Sequence, residues 1–428
     1  MSGLVTGIYD IGCALGAVVA FAFGERLGRR RSVILANAIV IVGAAIQAAS
    51  YSYAQMFVTR IITGTGVGLS TVAIPILQSE SLPAHNRGAL LVVQSALIII
   101  GVAVASWLCF ATLYADSSMQ WRFPVAYGLP KKGRADEARA TIARLLDRDE
   151  DNEEVQGQLT EILEGIAAEE AVGESSWKEV FSNNNNTRNL HRVLLGMGPY
   201  MFNQWSGINS VCYYLAYILQ EYLGYSQSMS LILASVAFTQ YAVFSWPPYF
   251  YIDRIGRRWT TIWSSLGCAI CMALIAGCLL VAKRANAAAA VGFMFLYMDC
   301  FTLGILPVSW SYSAEIQPLR IRNKATAVGV LSHWLSNFVV VIITPIGLDS
   351  IRGNFFWIWA VTCVLFIPLT YIFGVETAGR SLEQVDRMFM DNSRACMGLS
   401  KSNTIVIRTT AADEQVRYKQ FATHHEKM

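Results

Sequence analysis

Charge is scarce in this chain. Asp, Glu, Lys and Arg together make up 15% of its 428 residues, where an ordinary soluble domain carries about 25%. With 54% of the residues apolar, so few charges cannot cover a soluble core of this size. Histidine is rare too, with five copies, and none stands at metal-ligand spacing from a cysteine. The nine cysteines (Cys13, Cys109, Cys212, Cys268, Cys271, Cys278, Cys300, Cys363 and Cys396) are scattered, mostly through apolar runs, and the one CxxC pair, Cys268 and Cys271, lies inside such a run with no histidine near it. That placement argues against a zinc or dithiol site and makes them small packing residues. No P-loop lysine, nucleophile triad or metal cluster stands out, so we expect neither enzyme activity nor a cofactor. The net charge of +3 gives no reason to expect a nucleic-acid partner. A cleavable signal peptide is missing as well. Residues 4–23 are apolar but lack a basic leader and have arginines at 26–31 behind them, so they read as a membrane span.

What the chain does have is long apolar runs. Ten are long enough to cross a bilayer, over 4–23, 32–50, 55–78, 89–113, 193–219, 229–252, 259–282, 287–311, 325–347 and 355–374. Basic residues collect in alternate connections, as expected for loops on the cytoplasmic side. Arg26, Arg29, Arg30 and Arg31 follow the first run, Arg87 the third, Arg254, Arg257 and Arg258 the sixth, and Arg320, Arg322 and Lys324 the eighth. Lys283 and Arg284 are a weak exception. The segment 131–191 differs in kind. Ala135, Ala138, Ile142 and Leu145, then Val155, Leu159, Ile162 and Ile166, fall on single faces of amphipathic helices with charged outer sides. Asn185 begins an N-x-T acceptor in a polar loop, but a cytoplasmic location leaves it unused.

The chain repeats itself. "GERLGRRR" (24–31) returns as "IDRIGRRW" (252–259), 228 residues on. "ESLPAHNRGA" (80–89) returns as "EIQPLRIRNKA" (315–325), 235 residues on. Both loops occur in the same order, two spans apart, in each half. A duplicated membrane unit of this kind occurs in carriers whose halves rock about a midplane site.

On these motifs, together with "RIITGTGVG" (60–68), "QWSGIN" (204–209) followed by Tyr213 and Tyr214, "PVSWSYSAEIQP" (307–318) and "ETAGRSLEQ" (376–384), the chain resembles sugar porters of the major facilitator superfamily, the fungal members most. The resemblance runs from residue 24 to 384. It implies an all-α membrane protein of two helix bundles with about ten of twelve family helices present. It also implies a latch at the cytoplasmic helix ends built from Arg26, Arg29, Arg30, Glu80, Arg87, Asp253, Arg254, Arg257, Arg258, Glu315 and Arg322. The simpler role for these arginines is to fix topology alone. "GTGVG" (64–68) mimics a nucleotide loop but follows no strand, and reads as close helix packing.

Parity gives a further expectation. The fourth run ends outside and the fifth must start inside, yet 114–192 holds no span. "WRFPVAYGLP" (121–130) is the only apolar stretch there, and as a helix its length is about 15 Å against a core of about 30 Å. Against the family, the first and sixth helices are missing, with a junction near 127–129. We expect a truncated or mis-spliced product, the alternative being a genuine ten-span variant. The domains expected are a four-span remnant (1–123), a cytoplasmic linker (124–191), a six-helix bundle (192–378) and a cytoplasmic tail (379–428).

A solute with many hydroxyls and no charge needs side-chain amides, which both donate and accept, and aromatic faces. Asn203, Gln204, Asn209, Tyr213 and Tyr214 crowd one span, where such polarity is costly unless it lines a wet cavity or bonds neighbouring helices. The resemblance adds Trp310, Asn337, Gln94 and Ser95 as candidate site residues, with Thr302 and His333 departing from the family pattern. Arg60 resembles the arginine of proton-coupled members but equally suits an interfacial snorkel. His333 reads as a hydrogen-bonded core residue. The expected function is transmembrane carriage of a sugar or polyol by alternating access, with proton coupling open and this copy impaired. A nutrient sensor on the same fold is the alternative. The partners expected are the solute, the lipid bilayer and protons, and the location expected for this multi-pass protein is the plasma membrane.

Overall fold

The computed structural model describes residues 2–81, 87–114, 176–182, 188–221, 224–280, 284–380 and 382–391. The expected amphipathic helices within 131–166, Asn185, the side chains of Glu80 and Arg87, and the tail after 391 lie outside the described residues. Every regular element described is helical. This is what lipid demands: with no water to pair exposed amides, a spanning backbone must satisfy itself.

The first half supplies α1 (Ser2–Leu27), α2 (Arg29–Ala48), α3 (Tyr53–Ser81) and α4 (Arg87–Ala111). After the short α5 (Trp177–Val180) comes a crossing broken into α6 (Asn189–Trp205), α7 (Ile208–Cys212) and α8 (Leu215–Glu221). Then follow α9 (Gln227–Phe244), α10 (Pro248–Ile255), α11 (Arg257–Leu280), α12 (Arg284–Thr302), α13 (Ile305–Glu315), α14 (Arg322–Ile351), α15 (Phe355–Phe373) and α16 (Leu382–Asp391). Eight stretches among the described residues are long and apolar enough to cross a membrane. The last, Leu319–Phe373, contains both α14 and α15. Adding the broken crossing over 189–221 gives the ten expected from the sequence. Leu4, Val18, Ile34, Val42, Trp263, Val361 and Leu365 are exposed on their outer faces, as suits side chains turned to lipid.

The two halves meet along two seams, α1 against α14 and α4 against α9 and α10. Within the first half, α1 and α3 approach almost backbone to backbone. A Cβ at Gly64 would stand 2.3 Å from the Tyr9 carbonyl oxygen, and one at Gly68 1.9 Å from that of Cys13. The glycines of "GTGVG" therefore serve helix contact. The repeated arginine loops also share a backbone: Gly28 and Gly256 both take positive φ with ψ 160.

The ends of the helices fix the sidedness. Ser106 and Trp107 of α4 bond to Ser235 and Thr239 of α9. The other end of α4 lies against Asp253, whose carboxylate accepts from the Ala89 amide at 3.0 Å. Tyr114 thus ends the chain's run at the face away from the arginine loops. Trp177 packs against Phe21 with ring centres 4.1 Å apart and planes tilted by 51°, and Glu179 pairs with Arg320, back at the arginine end. Tyr114 and Trp177 thus stand at opposite ends of the helices, and residues 115–175 between them lie outside the described residues.

Candidate functional site

The broken crossing makes the site. Gly207 has φ +86, a left-handed value that ends α6 and restarts the chain as α7. A Cβ there would also stand 2.5 Å from the Trp359 ring. In an unbroken helix Gln204 and Asn209 would lie on diverging faces. The break turns them together, and Asn209 Nδ2 donates to Gln204 Oε1 at 2.7 Å.

From that pair a chain of amides crosses between the halves. Asn209 Nδ2 also donates to Asn337 Oδ1 on α14 at 2.7 Å, and Asn337 Nδ2 donates to Asp10 Oδ1 on α1 at 3.0 Å. In the other direction Gln204 Nε2 meets His333 Nε2 at 2.9 Å, and Asn203 Nδ2 donates to Ser309 Oγ at 3.3 Å. Aromatic faces wall the His333 end: Trp310, Trp334 and Tyr200 have ring centres 5.2, 5.2 and 5.6 Å from the imidazole. The arrangement offers amide donors and acceptors beside flat apolar rings, the chemistry a neutral polyhydroxy solute requires.

The other candidates are placed differently. Gln94 on α4 is half-buried, with its Oε1 buried and unpartnered, whereas Ser95 bonds back to the Leu91 carbonyl. Tyr214 spends its hydroxyl on the Val341 carbonyl at 3.0 Å, and Tyr213 is exposed. Thr302 is buried with its hydroxyl unpartnered. Arg60 donates to the Val5 carbonyl at 3.0 Å. Asp10, only 1% exposed, was absent from the sequence-based set. The signal that could have found it was its charge, the only one inside the apolar run 4–23.

At the arginine end, Arg257 is buried and forks onto Glu315, with Nε–Oε2 at 3.1 Å and Nη2–Oε1 at 2.7 Å. Its Nη1 pairs with Asp253 at 2.6 Å. Arg258 lies over the Tyr371 ring and donates to that residue's carbonyl. Arg26, Arg30 and Arg254 are exposed, Arg29 is half-buried and Arg322 is buried. Glu376, from "ETAGRSLEQ", accepts the amides of Arg257 and Arg258 and so caps α11. The contacts that join the halves here come from the acids of the two repeated loops. Glu25 pairs with Lys324 at 2.9 Å, and Asp253 takes the Ala89 amide. Each pair of corresponding residues, Glu25 with Asp253 and Ala89 with Lys324, is separated by its own loop's repeat distance. The duplicated loops thus make one contact twice, in mirrored directions across the two seams.

The model of the sugar (and other) transporter family matches residues 1–130 and again 129–389. This chain belongs to that family. The two matched stretches overlap at 129–130. Among similar members, the MFS-type transporter oryC of Aspergillus oryzae is 36% identical over 91% of this chain and 77% of its own length. Sugar transporter STL1 of Saccharomyces cerevisiae is 31% identical over 91% and 72%. The fold is that of the solved major facilitator proton:xylose symporter XylE bound to a bromodeoxyglucose. The TM-score is 0.71 at 22% identity, covering 90% of this chain and 89% of that one. An inward-open XylE structure from E. coli superimposes with a TM-score of 0.65. The family member described here is therefore an integral membrane transporter of the sugar-transporter class and not an enzyme.

Proposed function

We propose that this chain carries a sugar or related polyhydroxy solute by alternating access, binding it with Gln94, Asn203, Gln204, Asn209, Trp310 and Asn337. The observation that carries this reading is the amide chain from Asp10 to His333, which draws on both halves at once. A solute that replaces some of those bonds draws both halves onto itself, and rocking about it would expose it to either side. Ser95, Tyr213 and Tyr214 act in this reading as supports of the site. Residues 1–123 and 192–378 move as the two bundles, 124–191 link them, and 379–428 form the tail, of which α16 is tied back by the Arg192–Asp386 pair. The arginine-end contacts describe a state closed on the cytoplasmic side. The membrane is the plasma membrane, which a fluorescent fusion tests directly.

Counterflow of radiolabelled D-glucose, D-xylose and D-sorbitol into vesicles holding the purified chain tests the proposal. Exchange of one of them, lost with Gln204→Ala, is the expected result. No exchange of any would refute it.

We propose further that the carrier is weakened, a reading drawn from the family match falling in two stretches that meet at 129–130. Inserting an apolar helix of about 20 residues at that junction should then raise the exchange rate. No observation among the described residues favours the sensor.

A further inference from the structure

Asp10 lies in the apolar body of α1 and is almost fully buried. Its Oδ1 holds one bond, from Asn337 of the other half, and its Oδ2 has no partner. Arg60, on the facing helix α3, is near enough to act on it electrostatically, yet no direct ion pair joins them. The Arg60 Nε is itself unpartnered. The other titratable groups facing Asp10 are Tyr9 and Cys13 on α1 and Tyr213 and Tyr214 between α7 and α8. On α14 the facing group is the neutral Asn337, with His333 one turn earlier, bonded to Gln204.

An ionised carboxylate with one bare oxygen is poorly placed in a membrane interior. Its one donor belongs to the half that must move away when the halves part. Rocking would strip the anion of that donor, whereas a neutral carboxyl would lose a single ordinary bond. Proton uptake at Oδ2 therefore makes parting cheaper. A proton comes from water and forms an O–H bond on Oδ2. It leaves to water again once the group is wetted from the other side.

Resting on the carrier reading above, we infer that Asp10 is the proton-carrying group of this chain, linked to solute binding through Asn337. Sequence alone offered Arg60 for coupling; the geometry adds the carboxylate that would hold the proton.

Infrared difference spectra of the protein in lipid, taken across pH, test the site without any solute. A protonated-carboxyl band should titrate, vanish in Asp10→Asn and persist in Asp299→Asn, the latter carboxylate being held apart by Gln240 on α9. Asn337→Ala should displace the band's midpoint. In weakly buffered vesicles exchanging D-glucose, D-xylose or D-sorbitol, protons moved per solute should be lost in Asp10→Asn and regained in Asp10→Glu. A band that survives Asp10→Asn, or an unchanged proton-to-solute ratio in that variant, overturns the inference. If the band behaves as expected but none of the three solutes exchanges, the carrier reading fails and takes the solute linkage with it, while the proton site at Asp10 stands.

Discussion

Asn209 serves two acceptors from one amide nitrogen, and that makes it the residue most exposed to substitution. Asn209→Ala leaves Gln204 Oε1 and Asn337 Oδ1 without their donor, at about 1–3 kcal/mol for each buried group left unsatisfied. Expected is solute affinity weaker by about tenfold or more, a factor of ten being about 1.4 kcal/mol, with the protein still inserted. Scintillation binding or counterflow measures it, and an unchanged half-saturation would remove Asn209 from the site. Gly207→Ala is a different kind of change. It forces an alanine into left-handed backbone and drives a methyl into Trp359, so thermal stability in detergent should fall together with binding. The amides were legible in the sequence because polar side chains are conspicuous inside a membrane run. Their mutual bonds were not, since on a regular helix Gln204 and Asn209 diverge, and only the break at Gly207 turns them together. Asp10 was overlooked for the opposite reason. One acid among some twenty apolar residues barely lowers a window's hydropathy, although its chemistry outweighs its neighbours'.

At the scale of helices, the duplicated loop has a geometric meaning. Its acid reaches across a seam to the start of a helix in the other half, Glu25 to Lys324 on one side and Asp253 to the Ala89 amide on the other. An anion at a helix N-terminus is favoured by the helix dipole as well as by the particular bond. The repeat showed that the loops correspond. It could not show that the partners lie across the seam, because alignment of two halves says nothing about how they face each other. The sequence-based latch paired arginines with Glu315, and Arg257 does meet Glu315, but that pair lies inside one half and so holds a bundle together. Removing Glu315 would leave the buried Arg257 guanidinium with Asp253 alone of its two carboxylate partners, at about 1–3 kcal/mol, and Glu315→Ala should therefore lower stability. The cross-seam pair should behave otherwise. Glu25→Lys should open the cytoplasmic end, read as faster labelling of a cysteine placed there, and the double variant Glu25→Lys with Lys324→Glu should bring labelling back toward the parent rate. If the double variant labels as fast as the single, the pair does not hold the halves.

For the whole molecule the decisive matter is how ten crossings close into two bundles. Span count, alternation of basic loops and repeat could all be read in advance, because each depends on hydropathy and charge along the chain. The path of residues 115–175 could not, because no stretch there is both apolar and long enough. The structure places the two ends of that path on opposite faces: Tyr114 follows α4 away from the arginine loops, while Trp177 packs on Phe21 beside them. A polypeptide cannot change sides through lipid without satisfying its backbone. Epitope tags inserted after Leu113 and before Trp177 are expected to be reached from opposite sides, the first in intact cells and the second only after permeabilisation. The same tags in a chain given an added apolar helix at 129–130 should keep this pattern, since the added helix would supply the crossing directly. Tags reached from one side in the parent chain would place the first bundle upside down relative to the second. The mirrored contacts of Glu25 and Asp253 could then not form in the membrane, because both need the two arginine loops on one face.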